Sequence, residues 1–330
     1  MSTRRAFSIS LCAFAGNAPI LSFPQPRTGQ RRIAYLGATS LAASRELVEA
    51  LISGLRELGY VDGSNSIFDM RFAEGDLARL HALMEDQVAL RPDIMVVSTD
   101  TTARPVAAFI KTIPIVFVLG FDPVGLGLVK SLANPGGNAT GFSIVDRELA
   151  PKRLALLKEA IPKVFRVGVL YRKEDDNSRN AIELEMLEDA GRGMGVSLFP
   201  VGVLAAQDIP DAFEKMSAGG VDGLVNISDT LFYLKRQQLA DLAIGYRWGW
   251  ATSVVEYADA GALIAYGPDY PSIFRRSASL IDRVLRGANP GSIPVEQANV
   301  YQLVLNTQTA RNLRLKLPQS LLLQATRVIE

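Results

Sequence analysis

From Arg31 onward, the sequence alternates short runs of β-branched and aromatic residues with longer amphipathic stretches. "RRIAYLG" has the composition of a buried strand, and leucines at helical spacing follow until Gly59 ends the pattern. Three further strand-like runs come after it, namely "SIFDMRF", "DIMVVST" and "IPIVFVL". Such alternation is typical of a parallel sheet with helices on both faces, so the sequence predicts an α/β fold.

The same order of elements returns in the second half of the chain. "FRVGVLY" stands where "RRIAYLG" stood, and "SLFPVGV" follows it as "SIFDMRF" followed the first strand. Asp222 precedes a strand-like run as Asp93 does. The two halves share an order of elements without close sequence identity. The prediction is therefore two Rossmann-like lobes, each built on a parallel sheet.

The segments after the second cycle predict a hinge. "ALIAYG" and "YQLVLN" have the pattern of strands, a helix lies between them, and a tail helix opens near Pro318. The simplest connection has three crossovers, near 141–143, 261–268 and 296–306. The predicted division is a leader at 1–30, a first lobe at 31–142 plus about 266–300, and a second lobe at 143–265 plus about 301–330 with the hinge-crossing tail.

Composition excludes several classes of function. The 330 residues carry 35 Lys and Arg against 34 Asp and Glu, which leaves no basic excess for a nucleic-acid partner. Cys12 and His81 are the sole residues of their types, so a multi-cysteine or His-rich metal site is excluded. His81 lies midway along an amphipathic helix and is expected on the surface. Neither a metal nor a cofactor is predicted.

The N-terminal residues predict an export signal. Arg4 and Arg5 precede a short apolar run, then small residues and prolines, and no acidic residue occurs in 1–30. "TRRAF" is similar to a twin-arginine signal, which predicts a periplasmic protein. Leu11 occupies the position before Cys12 where lipidation requires a small residue, so a lipid anchor is not expected. A cytoplasmic leader is the alternative.

The pair Gly125 and Gly127 does not predict a phosphate site. A dinucleotide fingerprint requires a third glycine where Lys130 stands, and it follows the first strand of a lobe rather than the fourth. The stretch "DPVGLGLVKSL" instead predicts a strand end at Asp122 that turns through proline into a helix near Val124.

Polar side chains follow the predicted strands and predict a ligand site between the lobes. The carboxyl ends of parallel strands meet at one edge of a sheet, where α/β proteins hold ligands. Hydroxyls beside helix N-termini suit a carboxylate, carboxylates suit an ammonium group or sugar hydroxyls, and aromatic rings can stack on a flat ligand. The candidates are Thr39, Ser40, Thr99, Asp100, Thr101, Thr102, Asp122, Tyr171, Asn177, Ser178, Asp229, Phe232 and Glu256.

Each candidate also has a structural interpretation. Serine and threonine after a strand are helix N-caps by default, and an aspartate before proline forms turns. Tyr171 and Phe232 have the composition of core residues between a strand and a helix. The sequence leaves these alternatives open.

Several long segments resemble a known family. They are "GLRELGYVDG", "AEGDLARL", "IPIVFVLGFDPVGLGLVKSLANPGGNATGFS", "KRLALLKEAIP", "GALIAYGPDYPSIFRRSASLIDRVLRGANPGSIPVEQ" and "YQLVLNTQTARNLRLKLPQSLLLQA". The chain is similar, from about Ile33 to Ile329, to bacterial ABC transporter substrate-binding proteins of the tryptophan- or urea-like family. "DGSNSIFDMRF" and "RKEDDNS" depart from the usual family sequences, so the resemblance does not identify the ligand.

The resemblance implies a type I periplasmic binding protein with three hinge crossovers. Such a protein is exported, acts as a monomer, and captures a small solute without changing it. It then delivers the solute to an ABC permease and ATPase at the membrane. An amino acid or a related small carboxylate is the favoured solute. Two alternatives stay open, a two-lobed sensor module and a hydrolase that pairs Asp122 with Glu256 across the cleft.

Overall fold

The computed structural model describes residues 29–120, 122–144, 149–173 and 178–330, without the side chains of Ser178 and Arg179. The predicted export signal therefore lies outside the described residues, apart from positions 29 and 30. Within the described ranges, no helix combines the length and the hydropathy that crossing a bilayer requires.

The first lobe is built on a six-stranded sheet in which every pair of neighbours is parallel. Labels follow chain order, and the spatial order is β11-β5-β4-β3-β1-β2. The strands are β1 (Arg31–Gly37), β2 (Ser66–Phe72), β3 (Ile94–Thr99), β4 (Ile115–Gly120), β5 (Ala139–Ser143) and β11 (Glu296–Gln297). The helices are α1 (Leu41–Glu57), α2 (Leu77–Ala89), α3 (Asp100–Phe109) and α10 (Tyr270–Leu285).

The second lobe has a seven-stranded sheet in the order β13-β12-β10-β9-β8-β6-β7. Its neighbours are parallel except β10 and β12, which are antiparallel. The strands are β6 (Arg166–Arg172), β7 (Ser197–Val203), β8 (Gly223–Asn226), β9 (Gly249–Thr252), β10 (Ile264–Pro268), β12 (Tyr301–Asn306) and β13 (Arg327–Ile329). The helices are α4 (Ala150–Ala160), α5 (Ser178–Met194), α6 (Ile209–Ala218), α7 (Thr230–Leu234), α8 (Arg236–Gly245), α9 (Glu256–Ala260), α11 (Thr307–Asn312) and α12 (Gln319–Gln324).

Both faces of each sheet are buried. Along β1, Ile33 and Tyr35 pack into one apolar cluster, whereas Ala34 and Leu36 pack into another. Alternate side chains of a strand point to opposite faces, which explains why the strands are continuous apolar runs in the sequence. The predicted α/β fold of two mostly parallel sheets is confirmed.

In the described residues, the chain passes between the lobes at three places. It leaves lobe 1 between β5 and α4, returns between β10 and α10, and leaves again between β11 and β12. After its return, α10 packs along α1 so closely that a side chain at Gly54 would meet the backbone oxygen of Arg275. The lobes are thus joined by several segments, an arrangement that allows a hinge motion.

The predicted helix near Val124 is wrong. Residues 123–127 form successive turns instead. The side chain of Asp122 accepts a hydrogen bond from the backbone N–H of Gly125 (2.9 Å), and Gly127 has a left-handed backbone with φ of 69°. An aspartate-stabilised turn and a left-handed glycine both interrupt helical geometry, so the segment stays a loop.

Candidate ligand-binding site

A cavity of about 1290 Å³ lies between the two lobes. Its lining includes residues from the carboxyl ends of β1, β3 and β4 in lobe 1 and of β6 and β8 in lobe 2. Open α/β sheets hold their ligands at this edge, and the volume suffices for a small molecule. We call this cavity the ligand cleft.

The polar wall of lobe 1 is formed mainly by residues that follow β3. Thr99, Asp100 and Thr101 line the cleft, together with Thr39 after β1. Thr102 fixes this turn, because its hydroxyl donates to the Thr99 carbonyl (2.8 Å) and accepts from the Thr99 N–H (3.1 Å). The Thr99 hydroxyl oxygen is buried and has no hydrogen-bond partner among the described residues. A ligand that bonds this hydroxyl would remove the cost of leaving it unpaired.

The polar wall of lobe 2 carries charges of both signs. Asp229 caps α7 by accepting from the Leu231 N–H (2.7 Å), and its Oδ1 lies 3.6 Å from Nη1 of Arg172. Ser228, which also lines the cleft, has its hydroxyl 2.6 Å from that of Ser253. These contacts hold the side chains in fixed positions before any ligand arrives.

Beneath the polar walls, the cleft is aromatic and aliphatic. The residues of this apolar floor are Tyr35, Leu47, Leu119, Tyr233, Val254, Tyr257, Tyr270 and Phe274. The ring of Tyr257 packs edge-on against Trp250 (5.2 Å between centroids) and against Tyr233 (5.9 Å). Edge-to-face packing of this kind supports rigid rings. The cleft therefore has a mostly buried apolar floor, and a rim that combines charged and hydroxyl groups with the exposed side chains of Leu77, Ile182 and Leu204.

Tyr35 and Tyr257, two tyrosines of the floor, are neutral. Burial raises the pKa of Tyr35 above its usual range, although a hydrogen bond with Ser98 acts in the opposite direction. Burial also raises the pKa of Tyr257 well above its usual value, and the charge of Asp229 adds to this effect. Their rings therefore act as apolar surface with neutral hydroxyls, and no tyrosinate charge enters the cleft.

The structure brings six of the predicted site residues to the ligand cleft. They are Thr39, Thr99, Asp100, Thr101, Asp122 and Asp229. They come from four different strand ends, so the rule that strand ends converge places them correctly relative to one another. Their contact with a ligand stays a prediction.

Four other candidates lie outside the lining of the cleft. Ser40 caps α1 by accepting from the Ala43 N–H (3.2 Å), and Thr102 is fully buried beneath its own turn. Tyr171 packs against the apolar cluster of lobe 2, and Phe232 is fully buried in the core. In the structure, these side chains cap helices or fill the core.

The remaining three candidates are placed differently again. Asn177 lies outside the described residues, and so does the side chain of Ser178, whose backbone begins α5. Glu256 begins α9 and lines a second, smaller cavity beside the ligand cleft. Ligand contact by these three residues stays a prediction.

Sequence reasoning missed several residues of the cleft. The missed polar residues at or next to strand ends are Ser98, Arg172, Lys173 and Ser228, and a window one or two residues wider would have found them. Three more, Ser44, His81 and Arg104, line the cleft from helices α1, α2 and α3, where strand ends give no signal. Most of the aromatic floor had no signal either, because an apolar ring in a strand or helix is typical of any core.

The fold and the cleft define a two-lobed binding protein, and the comparisons with known proteins identify its family. The profile of ABC transporter substrate binding proteins matches residues 33–329. The chain therefore belongs to the ABC transporter substrate-binding protein family. Proteins of this family are extracytoplasmic components of ABC transport systems that bind a small-molecule solute and act with membrane-bound ABC partners. The resemblance found in the sequence is confirmed.

Three relatives illustrate the similarity. The chain is 27% identical over 290 residues to a tyrosine-binding protein of Clostridioides difficile (strain R20291), covering 87% of this chain and 83% of that protein. An ABC domain from Streptococcus pneumonia, crystallised in complex with L-Trp, has a TM-score of 0.84 at 25% identity, covering 91% of this chain and 100% of that one. A conserved domain protein from Vibrio cholerae O1 biovar eltor has a TM-score of 0.83 at 29% identity, covering 91% and 99%.

Proposed function

We propose that the protein captures an amino acid with an aromatic or large apolar side chain by closing its two lobes on it. The observation that carries this proposal is the two-part cleft, with charged and hydroxyl groups at the rim and an apolar floor of aromatic rings. A zwitterionic amino acid with an apolar side chain is likewise divided into a charged part and an apolar part. The relatives named for tyrosine binding and solved with L-Trp support this class of solute.

Recognition of the zwitterion uses both lobes. Asp100, Asp122 and the Thr99 hydroxyl face the ligand from lobe 1, whereas Arg172 and Asp229 face it from lobe 2. A ligand that contacts both walls has more contacts in the closed form than in the open one. It therefore shifts the equilibrium towards closure by that difference in affinity.

We propose binding without chemical conversion. The hydrolase hypothesis required Asp122 and Glu256 to face one substrate, yet Asp122 lines the ligand cleft and Glu256 lines the second cavity. Acid and base groups on opposite sides of one bond are what such a reaction requires. The separation of these two carboxylates supports a protein that returns its solute unchanged.

The proposed setting is the periplasm. The arginine pair at the start of the chain favours export by a twin-arginine signal. The mature protein would act as a monomer and would hand its solute to an ABC permease and ATPase, without binding nucleic acid. Fractionation of cells that produce the tagged full chain tests this, because the twin-lysine variant R4K/R5K should then stay in the cytoplasm.

A thermal-shift screen tests the solute class. The purified protein is heated with each amino acid, with aromatic carboxylates, with ureas and with sugars, and bound molecules are recovered for mass spectrometry. A ligand that binds only the folded form raises the melting temperature with the logarithm of its concentration. The proposal predicts shifts with aromatic or large apolar amino acids, recovered unchanged. Shifts with sugars alone, or recovery of a converted product, would contradict it.

A further inference from the structure

The second cavity has a volume of about 440 Å³ and also lies between the lobes. One wall is α1 of lobe 1, and the other is formed by α7, α8 and α9 of lobe 2. We call it the side cavity. Tyr233 lines both the side cavity and the ligand cleft, so this residue stands at the boundary between them.

Tyr233 also joins the lobes directly. Its hydroxyl donates a hydrogen bond to the backbone carbonyl of Ala43 in α1 (2.8 Å). Arg236 holds the tyrosine from lobe 2, because its guanidinium carbon lies 4.7 Å from the ring centroid and its Nη1 donates to the Tyr233 carbonyl (2.9 Å). A bond between α7 and α1 requires the two helices to be close. Opening of the lobes would therefore break it.

Carboxylates from both lobes line the side cavity. They are Glu46 and Glu49 from α1 and Glu256 and Asp259 from α9. The cations that face them are Arg45 from α1 and Arg236 from α8. Asp259 already forms an ion pair with Arg327 (2.6 Å). Bringing the lobes together thus places carboxylates of α1 opposite carboxylates of α9.

Glu256 is a carboxylate of the side cavity that is only partly compensated. Its Oε2 is buried and has no hydrogen-bond partner among the described residues. Burial raises the pKa of Glu256, and the charges of Glu46 and Asp259 add to the rise, whereas a hydrogen bond from its own backbone N–H and the charge of Arg236 oppose it. Glu46 lies on the other lobe, so its contribution to the raised pKa of Glu256 acts across the gap between the lobes and depends on closure.

We propose that Glu256 is a positioning residue for lobe closure, whose carboxyl group takes up a proton as the lobes come together, so that acidity favours the closed form. The proposal rests on the proposed function, since it concerns the closure that captures the solute. Glu256 acts here through Tyr233 and α1, without touching the solute. Protonation removes the repulsion from Glu46 and leaves a neutral group behind Tyr233.

The direction of the pH effect follows from linkage. A carboxyl group whose pKa is higher in the closed form binds its proton more tightly there, so the closed form gains as the pH falls. The gain is lost as the pH rises through the raised pKa. Since one proton is involved, solute affinity changes by at most about one decade per pH unit. Burial also raises the pKa of Tyr233, with Glu256 adding to it, so its hydroxyl stays a neutral donor throughout this range.

Small-angle scattering of the purified, solute-free protein tests closure itself. The proposal predicts a smaller radius of gyration at about pH 5 than at about pH 8. The Glu256→Gln variant, whose side chain resembles the protonated acid, should be compact at both pH values. Glu214→Gln, an exposed change on α6 of the same lobe, is the matched control and should behave like the wild type. A radius of gyration that is independent of pH, or a pH response that survives in Glu256→Gln, would overturn the proposal.

Calorimetric titration with L-tyrosine and L-tryptophan then tests the effect on affinity. We expect affinity to fall with rising pH in the wild type. Glu256→Gln should remove most of this pH dependence and bind more tightly than the wild type at high pH, and Glu46→Gln should remove part of it. Weaker binding of Glu256→Gln at every pH would indicate a solute contact and overturn the positioning role. If neither amino acid binds while the scattering result holds, the proposed solute class fails and the closure proposal stands.

Discussion

In the ligand cleft, two acidic side chains at strand ends accept hydrogen bonds from their own loops, whereas in the side cavity one buried oxygen of Glu256 has no partner among the described residues. Asp122 accepts from Gly125, and Asp229 accepts from Leu231. Both carboxylates are thereby held in place. Glu256 also accepts a hydrogen bond from its own backbone, but burial has the larger effect and raises its pKa.

The difference separates two tasks that one interlobe surface has to perform. A recognition wall has to keep its shape before the solute arrives, and loops whose backbone N–H groups hold their own carboxylates achieve this. A wall that responds to pH needs a group that readily gains or loses a proton. A buried carboxyl group that is only partly compensated meets that requirement. Tyr233 contacts both cavities and connects the two tasks.

Asp229→Ala tests the recognition wall with the largest expected effect. We expect binding of L-tyrosine or L-tryptophan to weaken by about tenfold to a hundredfold, because a hydrogen bond to a charged group contributes about 1.5–3 kcal/mol. Asp229→Asn is the control, since asparagine also caps helices but carries no charge. Calorimetric affinities for both variants at neutral pH separate the cap from the charge. Wild-type affinity in both variants, and in Asp122→Ala, would contradict the assignment of this wall.

Tyr233→Phe tests the connection between the cavities. The change removes the hydroxyl that bonds the Ala43 carbonyl and keeps the ring. A net hydrogen bond contributes about 0.5–1.5 kcal/mol, so we expect affinity to fall by up to about tenfold, with the closed form less populated. Scattering and calorimetry on the same sample measure the two effects. Lower affinity with an unchanged radius of gyration would mean that Tyr233 acts on the solute alone.

Two threonine substitutions, with the smallest expected effects, distinguish a hydroxyl that faces the solute from one that supports the turn. Thr99→Val removes a hydroxyl without a partner among the described residues, so it should leave the melting temperature nearly unchanged and weaken binding a few-fold. Thr102→Val removes the hydroxyl that fixes the turn, and it should cost about 1 kcal/mol of stability with little direct loss of binding. The opposite pattern would mean that Thr102, and not Thr99, faces the solute.

The sheet architecture could be predicted from the sequence because its strands are buried on both faces. Continuous apolar runs such as "IPIVFVL", which contains β4 (Ile115–Gly120), have few other structures available to them. The loop after β4 could not be predicted, because "DPVGLGLV" fits the start of a helix as well as a series of turns. The hydrogen bond from Gly125 to Asp122 decides between them, and such a contact is not visible in residue order.

Part of the polar lining was predictable, namely the acidic and hydroxyl groups that follow strands, whereas its cations and the apolar floor were not. Strand ends must converge in a parallel sheet, which led to Asp122 and Asp229 from different parts of the chain. Phe232 and Tyr233 are adjacent in α7, yet Phe232 is in the core and Tyr233 lines the cleft. The face that a five-residue helix presents depends on tertiary packing, so a short aromatic pair carries no information about it.

A crystal structure of the protein with L-tyrosine or L-tryptophan would show where the solute binds and in which orientation. We expect one bound amino acid in the ligand cleft, with its side chain on the aromatic floor beside Tyr257 and its charged groups at the rim near Asp122 and Asp229. An amino acid bound outside the cleft, or one whose ring lies at the rim with its charged groups on the aromatic floor, would contradict it.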